Sequence, residues 1–326
     1  MKRKTFDRMF PLHQGKNHIR GLMIAADHLA HLLDKPLIEV CRSGELIAEG
    51  LLKAQKLYNS DFIIVFADVS VEVEAMGVEL KYFTNGNPFP VNRLDFSEVG
   101  TKKIWKLGRL PELFKAAQIC RAELGDDFTI FISMKDTFSL TAMVTGTEEF
   151  LISLVTDTKK ALDILDICCK NQMGLIIKII ESGFIPLIGT PIASGGLIGS
   201  KHFNNFAAAC LEKLFAKARQ LDSFACLHIC GTIRELVEPL EDLEPDLLSF
   251  EDPAFVPLLN RLPNTIPMGY VPTTLFVNDN PESVIENTRI CHLSLPKPYV
   301  LSAGCDLPSK ANPVLVNTMM NFKLEE

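Results

Sequence analysis

The stretch FACLHICGTIRE, residues 224–235, sets a histidine and a cysteine two positions apart at the end of an apolar run and just before a glycine. In an extended strand the side chains at i and i+2 leave on the same face, so His228 and Cys230 can reach a single point. A third donor, Cys305 in LSAGCDLP, also directly follows an apolar run of strand length. One imidazole and two thiolates form a strongly zinc-preferring set, and three protein donors with an open position are the pattern of a catalytic zinc. The chain has no paired CxxC knuckle from which a closed structural site is built. His-x-Cys alone is a short motif, and two buried thiols beside a satisfied core histidine are the alternative reading. Placement at strand ends is what favours the metal.

Donors this distant in sequence meet only if strands lie side by side with their ends on one rim. SGELIAEGLLKAQKLYN has Ser43 as a helix cap and apolar residues at helical spacing, and it runs into the strand-like DFIIVFAD. FTIFIS (128–133), FIPLIG (184–189), FACLHIC (224–230), DLLSFE (246–251), IPMGY (266–270) and YVLSAG (299–304) continue the strand series. Helical stretches are expected over 148–172 and 203–221, from about Thr232, after Pro281 and after Pro313. Strands alternating with helices specify a parallel sheet, and strands apolar on both faces suit one covered on both sides. A single (β/α)8 TIM barrel is expected over an open doubly wound sheet, because no Gly-rich phosphate turn follows the first strand. Seven strands can be counted, the eighth has no clear run, and GVELKYF (77–83) reads as a rim hairpin. Residues 1–43 are expected to form an N-terminal helical extension and residues 44–326 the catalytic barrel. The C-terminal strand ends form the active face of such a barrel, which is where His228, Cys230 and Cys305 fall.

Composition limits the function classes. Of 326 residues 47% are hydrophobic and 22% charged, which suits a soluble protein with a large core. The net charge of −7, with one short basic cluster at MKRKTFDR, gives no footprint for nucleic acid. No apolar h-region follows the basic N-terminus, and the most apolar later segment is interrupted by Lys178, Glu181, Gly183 and Pro186, so no membrane span is expected. Nine cysteines, an odd number with several inside apolar runs, fit a reducing cytoplasm rather than a disulfide framework.

The segments LHICG (227–231) and LSAGCDLP (301–308), with VFADVSVEVEAMG (65–77) and FSLTAMVTGTEEFL (138–151), resemble the uroporphyrinogen decarboxylase superfamily, specifically its zinc-dependent corrinoid methyltransferase branch. The likeness covers roughly residues 40–320, and the His-x-Cys pair followed far downstream by Gly-Cys-Asp is its most specific part. It implies a (β/α)8 barrel with zinc on His228, Cys230 and Cys305. It also implies transfer of a methyl group between a corrinoid, carried on a separate corrinoid protein, and a thiol such as coenzyme M. In some members a carboxylate from the next strand is an exchangeable fourth ligand; Glu251 is its counterpart here, with Asp252 adjacent. Asp68 aligns with the carboxylate that contacts the tetrapyrrole in the decarboxylases, with a turn cap as its other reading. Donor-side demethylation and tetrahydrofolate-dependent transfer share the ligand set. A decarboxylase lacks the metal and has paired N-terminal arginines that RMFPLHQGKNHIRGL does not show. A non-catalytic corrinoid-binding module would leave a complete zinc triad without a purpose.

Glu72 and Glu74 are read as a solvated face, SGGLIG (194–199) as a flexible rim loop, His28 and His31 as structural, and Cys168 and Cys169 as core packing. MGYVPTT (268–274) has Gly-Tyr where the superfamily often has Gly-Asn, and DTFSL (136–140) lacks its usual Gly-Pro, both departures near the expected substrate pocket.

Overall fold

The longer strands form where β-branched, aromatic and leucine residues run together without helical spacing. The structure, a computed structural model, describes residues 1–323. Its strands are β1 His18–Arg20, β2 Phe62–Val65, β3 Leu80–Lys81, β4 Phe89–Pro90, β5 Thr129–Lys135, β6 Ile185–Thr190, β7 Cys226–Ile229, β8 Leu247–Phe250, β9 Ile266–Val271 and β10 Tyr299–Ala303. Eight of them form one parallel sheet in the order β1-β10-β9-β8-β7-β6-β5-β2. The remaining seam, between β1 and β2, is bridged by the Asp61 amide donating to the Arg20 carbonyl at 2.8 Å and the Arg20 amide donating to Asp61 Oδ2 at 2.7 Å. The sheet is therefore a nearly closed barrel with helices outside, as expected.

Two expectations are corrected. The eighth strand is β1, inside the segment read as an extension, so the barrel takes in residues well before 44. His18-Ile19-Arg20 has a single apolar residue, and its strand conformation comes from pairing with Tyr299–Leu301 rather than from an apolar run. The helix expected over 148–172 is two helices, Thr147–Thr156 and Thr158–Glu181. Asp157 separates them, its carboxylate accepting from the Lys160 amide at 3.1 Å and starting a new helix. β3 and β4 form the rim hairpin read from GVELKYF. Ser43 caps the helix Gly44–Tyr58 through the Leu46 amide at 3.2 Å.

The N-terminal helix Lys2–Met9 closes the barrel floor. Phe6, Met9 and Phe10 are buried with Phe62, Phe131 and other inward residues of the strand starts, the Phe10 ring lying 5.8 Å from Phe62 and 6.2 Å from Phe131. Gly21 makes room for this floor, since a Cβ there would fall 2.1 Å from the Phe62 ring. With the floor plugged, ligands reach the interior from the opposite, C-terminal rim. Among the described residues no single helix is long and apolar enough to cross a membrane. The helices Thr137–Thr145 and Thr147–Thr156 reach that measure only together, bent by 109°, and the first is almost wholly buried.

Candidate metal centre

Strand parity sets the site. Along β7, Cys226 joins the barrel interior while Leu227 and Ile229 pack against the helices, so His228 and then Cys230 face inward at the rim. Cys305 arrives two residues beyond β10. Cys230 Sγ lies 3.3 Å and Cys305 Sγ 3.6 Å from His228 Nε2, and the donor atoms of all three residues lie within 4.8 Å of one another. A tetrahedral zinc with ligands about 2.0–2.3 Å away holds them roughly 3.5 Å apart, so these separations fit. The three donors read from the sequence are thus brought together.

The rest of the shell orients them. His228 lies beside Ser249 in the register of β7 on β8, and its Nδ1 is 3.0 Å from Ser249 Oγ, a side chain with no exposed surface. With the proton on Nδ1, that hydrogen bond directs the Nε2 lone pair at the two sulfurs. Ser249 was missed in the sequence, although a serine two positions before Glu251 in an otherwise apolar strand was the available sign. A hydrogen bond with Cys230, and burial after it, push the Cys305 thiol far above its ordinary range, as expected of two adjacent sulfurs that cannot both ionise without a cation.

Glu251 falls outside the three-donor group. Its Oε1 accepts from the amide of Gly231, the residue after Cys230, so the carboxylate ties down the ligand-bearing loop. Gly304 permits this approach from the other side, because a Cβ there would lie 2.6 Å from the Glu251 Cβ. Asp252, the neighbouring carboxylate, is committed elsewhere, accepting from the Ala254 amide at 3.0 Å and the Ile233 amide at 3.3 Å, so of this adjacent pair Glu251 is the one tied to the ligand-bearing loop.

A cavity opens between the triad and the ends of β2, β5 and β6, with Asp68, Glu72, Lys135 and Asp306 among mainly apolar walls such as Met23 and Phe66. Asp68 is buried, accepts from the Ser70 amide at 2.8 Å and forms a two-pronged ion pair with Arg109. It caps a turn, as one of its two readings expects, and it also lines the cavity. Arg109 was not singled out from the sequence, and it lies 41 positions from Asp68 with no local pattern to connect them.

Glu72 overturns the expectation of a solvated face. It is 3% exposed and clamps Lys135, one carboxylate oxygen accepting from Nζ at 2.8 Å and the other from the Lys135 amide at 2.7 Å. Its helix, Val71–Ala75, is too short to show a period, so the buried side could not be told from the exposed one. Glu74 is half-buried and accepts from Arg109 and from the Tyr82 hydroxyl at 2.6 Å. SGGLIG is only partly a loop: a helical turn starts at Gly195, and the chain breaks at Gly199, whose backbone is non-helical with φ 67° and ψ 170°, before helix resumes toward His202. The Gly-Tyr departure stays out of the cavity: Tyr270 directs its hydroxyl to Ser294 at 2.7 Å and stacks on Phe250 in the helix-facing layer. His28 is structural, bonded to the Tyr58 hydroxyl at 2.8 Å and the Ser309 carbonyl at 3.2 Å.

A family model described as uroporphyrinogen decarboxylase (URO-D) matches residues 23–324. The methylcobamide:CoM methyltransferase MtbA of Methanosarcina acetivorans is 24% identical over 224 residues, 66% of this chain and 65% of that protein. The protein of the same name from Methanosarcina mazei is 24% identical over 206 residues, 62% of this chain and 60% of its own length. The matched stretch thus spans less than two thirds of either relative. A solved methyltransferase from Methanosarcina mazei superposes with a TM-score of 0.86 at 20% identity, covering 98% of this chain and 97% of that one, and so shares the fold.

Proposed function

The chain belongs to the uroporphyrinogen decarboxylase family, and on that premise we propose that it is a zinc-dependent methyltransferase moving a methyl group between a corrinoid, held by a separate corrinoid protein, and a thiol. The observation that carries this reading is the meeting of His228, Cys230 and Cys305 at the cavity, donors that a metal-free decarboxylase would not need. The relatives named above support a corrinoid and a thiol as the reacting pair.

His228, Cys230 and Cys305 would hold the zinc, and Glu251 is the carboxylate beside their loops proposed as an exchangeable fourth donor. Zinc, when bound, supplies a Lewis acid that keeps a thiol as thiolate at neutral pH. Ser249 holds His228 in the tautomer that offers Nε2. Cys230 and Cys305 give up their protons on loading, so affinity for the ion rises with pH. Two thiolates and a neutral imidazole cancel the charge of a divalent ion, and exchange of the Glu251 carboxylate for one substrate thiolate leaves the local charge unchanged. Asp68, fixed by Arg109 and facing the cavity from the end of β2, is proposed as the contact for the corrinoid side. The apolar walls exclude water, which would otherwise compete with the thiolate and weaken each electrostatic contact.

The test follows methylcob(III)alamin absorbance with zinc-loaded protein and coenzyme M, homocysteine or tetrahydrofolate in parallel. Demethylation with a thiol, lost in Cys305→Ser, supports the proposal. Demethylation with tetrahydrofolate alone replaces the acceptor, and none with any acceptor moves the reaction to methylation of cob(I)alamin by a methylated donor.

A further inference from the structure

Resting on the thiol-acceptor reading, we propose that the cavity selects a thiol with an uncharged tail and discriminates against an anionic one, a departure from the sulfonated thiol, coenzyme M, in the relatives' names. Among the described residues lining the cavity, Lys135 is the one lysine or arginine, and it is not available. Glu72 holds its ammonium with one carboxylate oxygen and its backbone amide with the other, and both side chains are buried. Arg109, behind the wall, is similarly spent on Asp68 and Glu74.

The balance left over is negative. Asp68, Glu72, Glu74 and Asp306 face two cations, Lys135 and Arg109. Asp306 adjoins a metal donor directly, its Oδ1 accepting from Cys305 Sγ at 3.2 Å. A substrate thiolate that exchanges for the Glu251 carboxylate leaves this balance as it stands. A sulfonate or carboxylate two carbons away would meet carboxylates and apolar walls, including Phe66, Val71 and Leu187, with no free donor cation. A neutral tail loses little on entering such walls, whereas an anion gives up its hydration without a counter-charge. Glu72 is therefore a specificity-determining residue: it cancels the one cation in the cavity wall that could recognise an anionic tail.

The experiment uses cobalt(II)-substituted protein and reads the thiolate-to-cobalt absorption band, independently of turnover. 2-Mercaptoethanesulfonate, 2-mercaptoethanol and 2-aminoethanethiol have the same chain length and tails of negative, zero and positive charge, and are compared at equal thiolate concentration. We expect the sulfonate to bind about tenfold or more weakly than 2-mercaptoethanol, the scale of one uncompensated charge in a site of intermediate dielectric. Sulfonate binding equal to or tighter than the neutral thiol overturns the inference while leaving the thiol acceptor standing. No band change with any of the three overturns the thiol acceptor itself, and the inference with it. In Glu72→Gln, which frees Lys135, the sulfonate-to-neutral affinity ratio should move about tenfold toward the sulfonate, and an unchanged ratio contradicts the assignment. Should that variant fail to fold, the wild-type series alone decides.

Discussion

Ser249→Ala isolates the contribution of tautomer control to metal binding. Ser249 has no exposed surface, His228 is 4% exposed, and the Nδ1 to Oγ distance is 3.0 Å. Removing the hydroxyl leaves a buried ring N–H without a partner, at a cost of about 1–3 kcal/mol. The imidazole can recover part of that cost by moving its proton to Nε2, but this blocks the donor atom. Either way the metal-competent state loses roughly 1.4–2.8 kcal/mol, matching the 10–100-fold loss of affinity usual for outer-shell changes at zinc sites. The assay is competition for zinc against a chromophoric chelator at fixed pH, with Ser249→Thr as the variant that keeps a hydroxyl. A dissociation constant raised about 10–100-fold in Ser249→Ala and partly restored in Ser249→Thr is expected. Affinity within twofold of wild type would refute the argument that Ser249 sets the tautomer.

Other outcomes follow from the same geometry. Burial depresses His28 from 6.5 to about 4, so between these values the unfolded chain binds the extra proton and stability falls as pH falls. Chemical denaturation should show a loss of about 2 kcal/mol between pH 7 and pH 5 from this residue, and that component should be missing from the slope of His28→Gln. Phe10→Ala removes the ring that joins the N-terminal helix to Phe62 and Phe131, and should cost about 3–5 kcal/mol by denaturant titration. Gly304→Ala places a Cβ 2.6 Å from that of Glu251; it should destabilise by about 1–3 kcal/mol, read as a lowered melting temperature in differential scanning calorimetry.

The readable and unreadable parts of this chain differ in a physical way. β5, β7 and β10 are apolar runs whose strand identity is local, and the two-residue parity of β7 places His228 and Cys230 on one face without any tertiary knowledge. β1 is three residues with polar ends, made a strand by its neighbour β10, so no window of sequence contains its signal. The break at Asp157 was hidden because apolar spacing continues across it, while the capping aspartate that stops one helix starts the next. Glu72 with Lys135 and Asp68 with Arg109 pair across 63 and 41 positions, and a carboxylate beside valines looks the same whether water or an ammonium neutralises it. Those hidden pairs, rather than the legible donors, determine the charge of the cavity.

X-ray absorption at the zinc edge on the purified, zinc-loaded protein tests the metal centre most directly. One zinc per chain is expected, with two sulfur neighbours at about 2.3 Å and nitrogen or oxygen neighbours at about 2.0–2.2 Å, and with one sulfur fewer in Cys305→Ser. Zinc bound without sulfur neighbours, or a sulfur count unchanged in Cys305→Ser, would contradict that expectation.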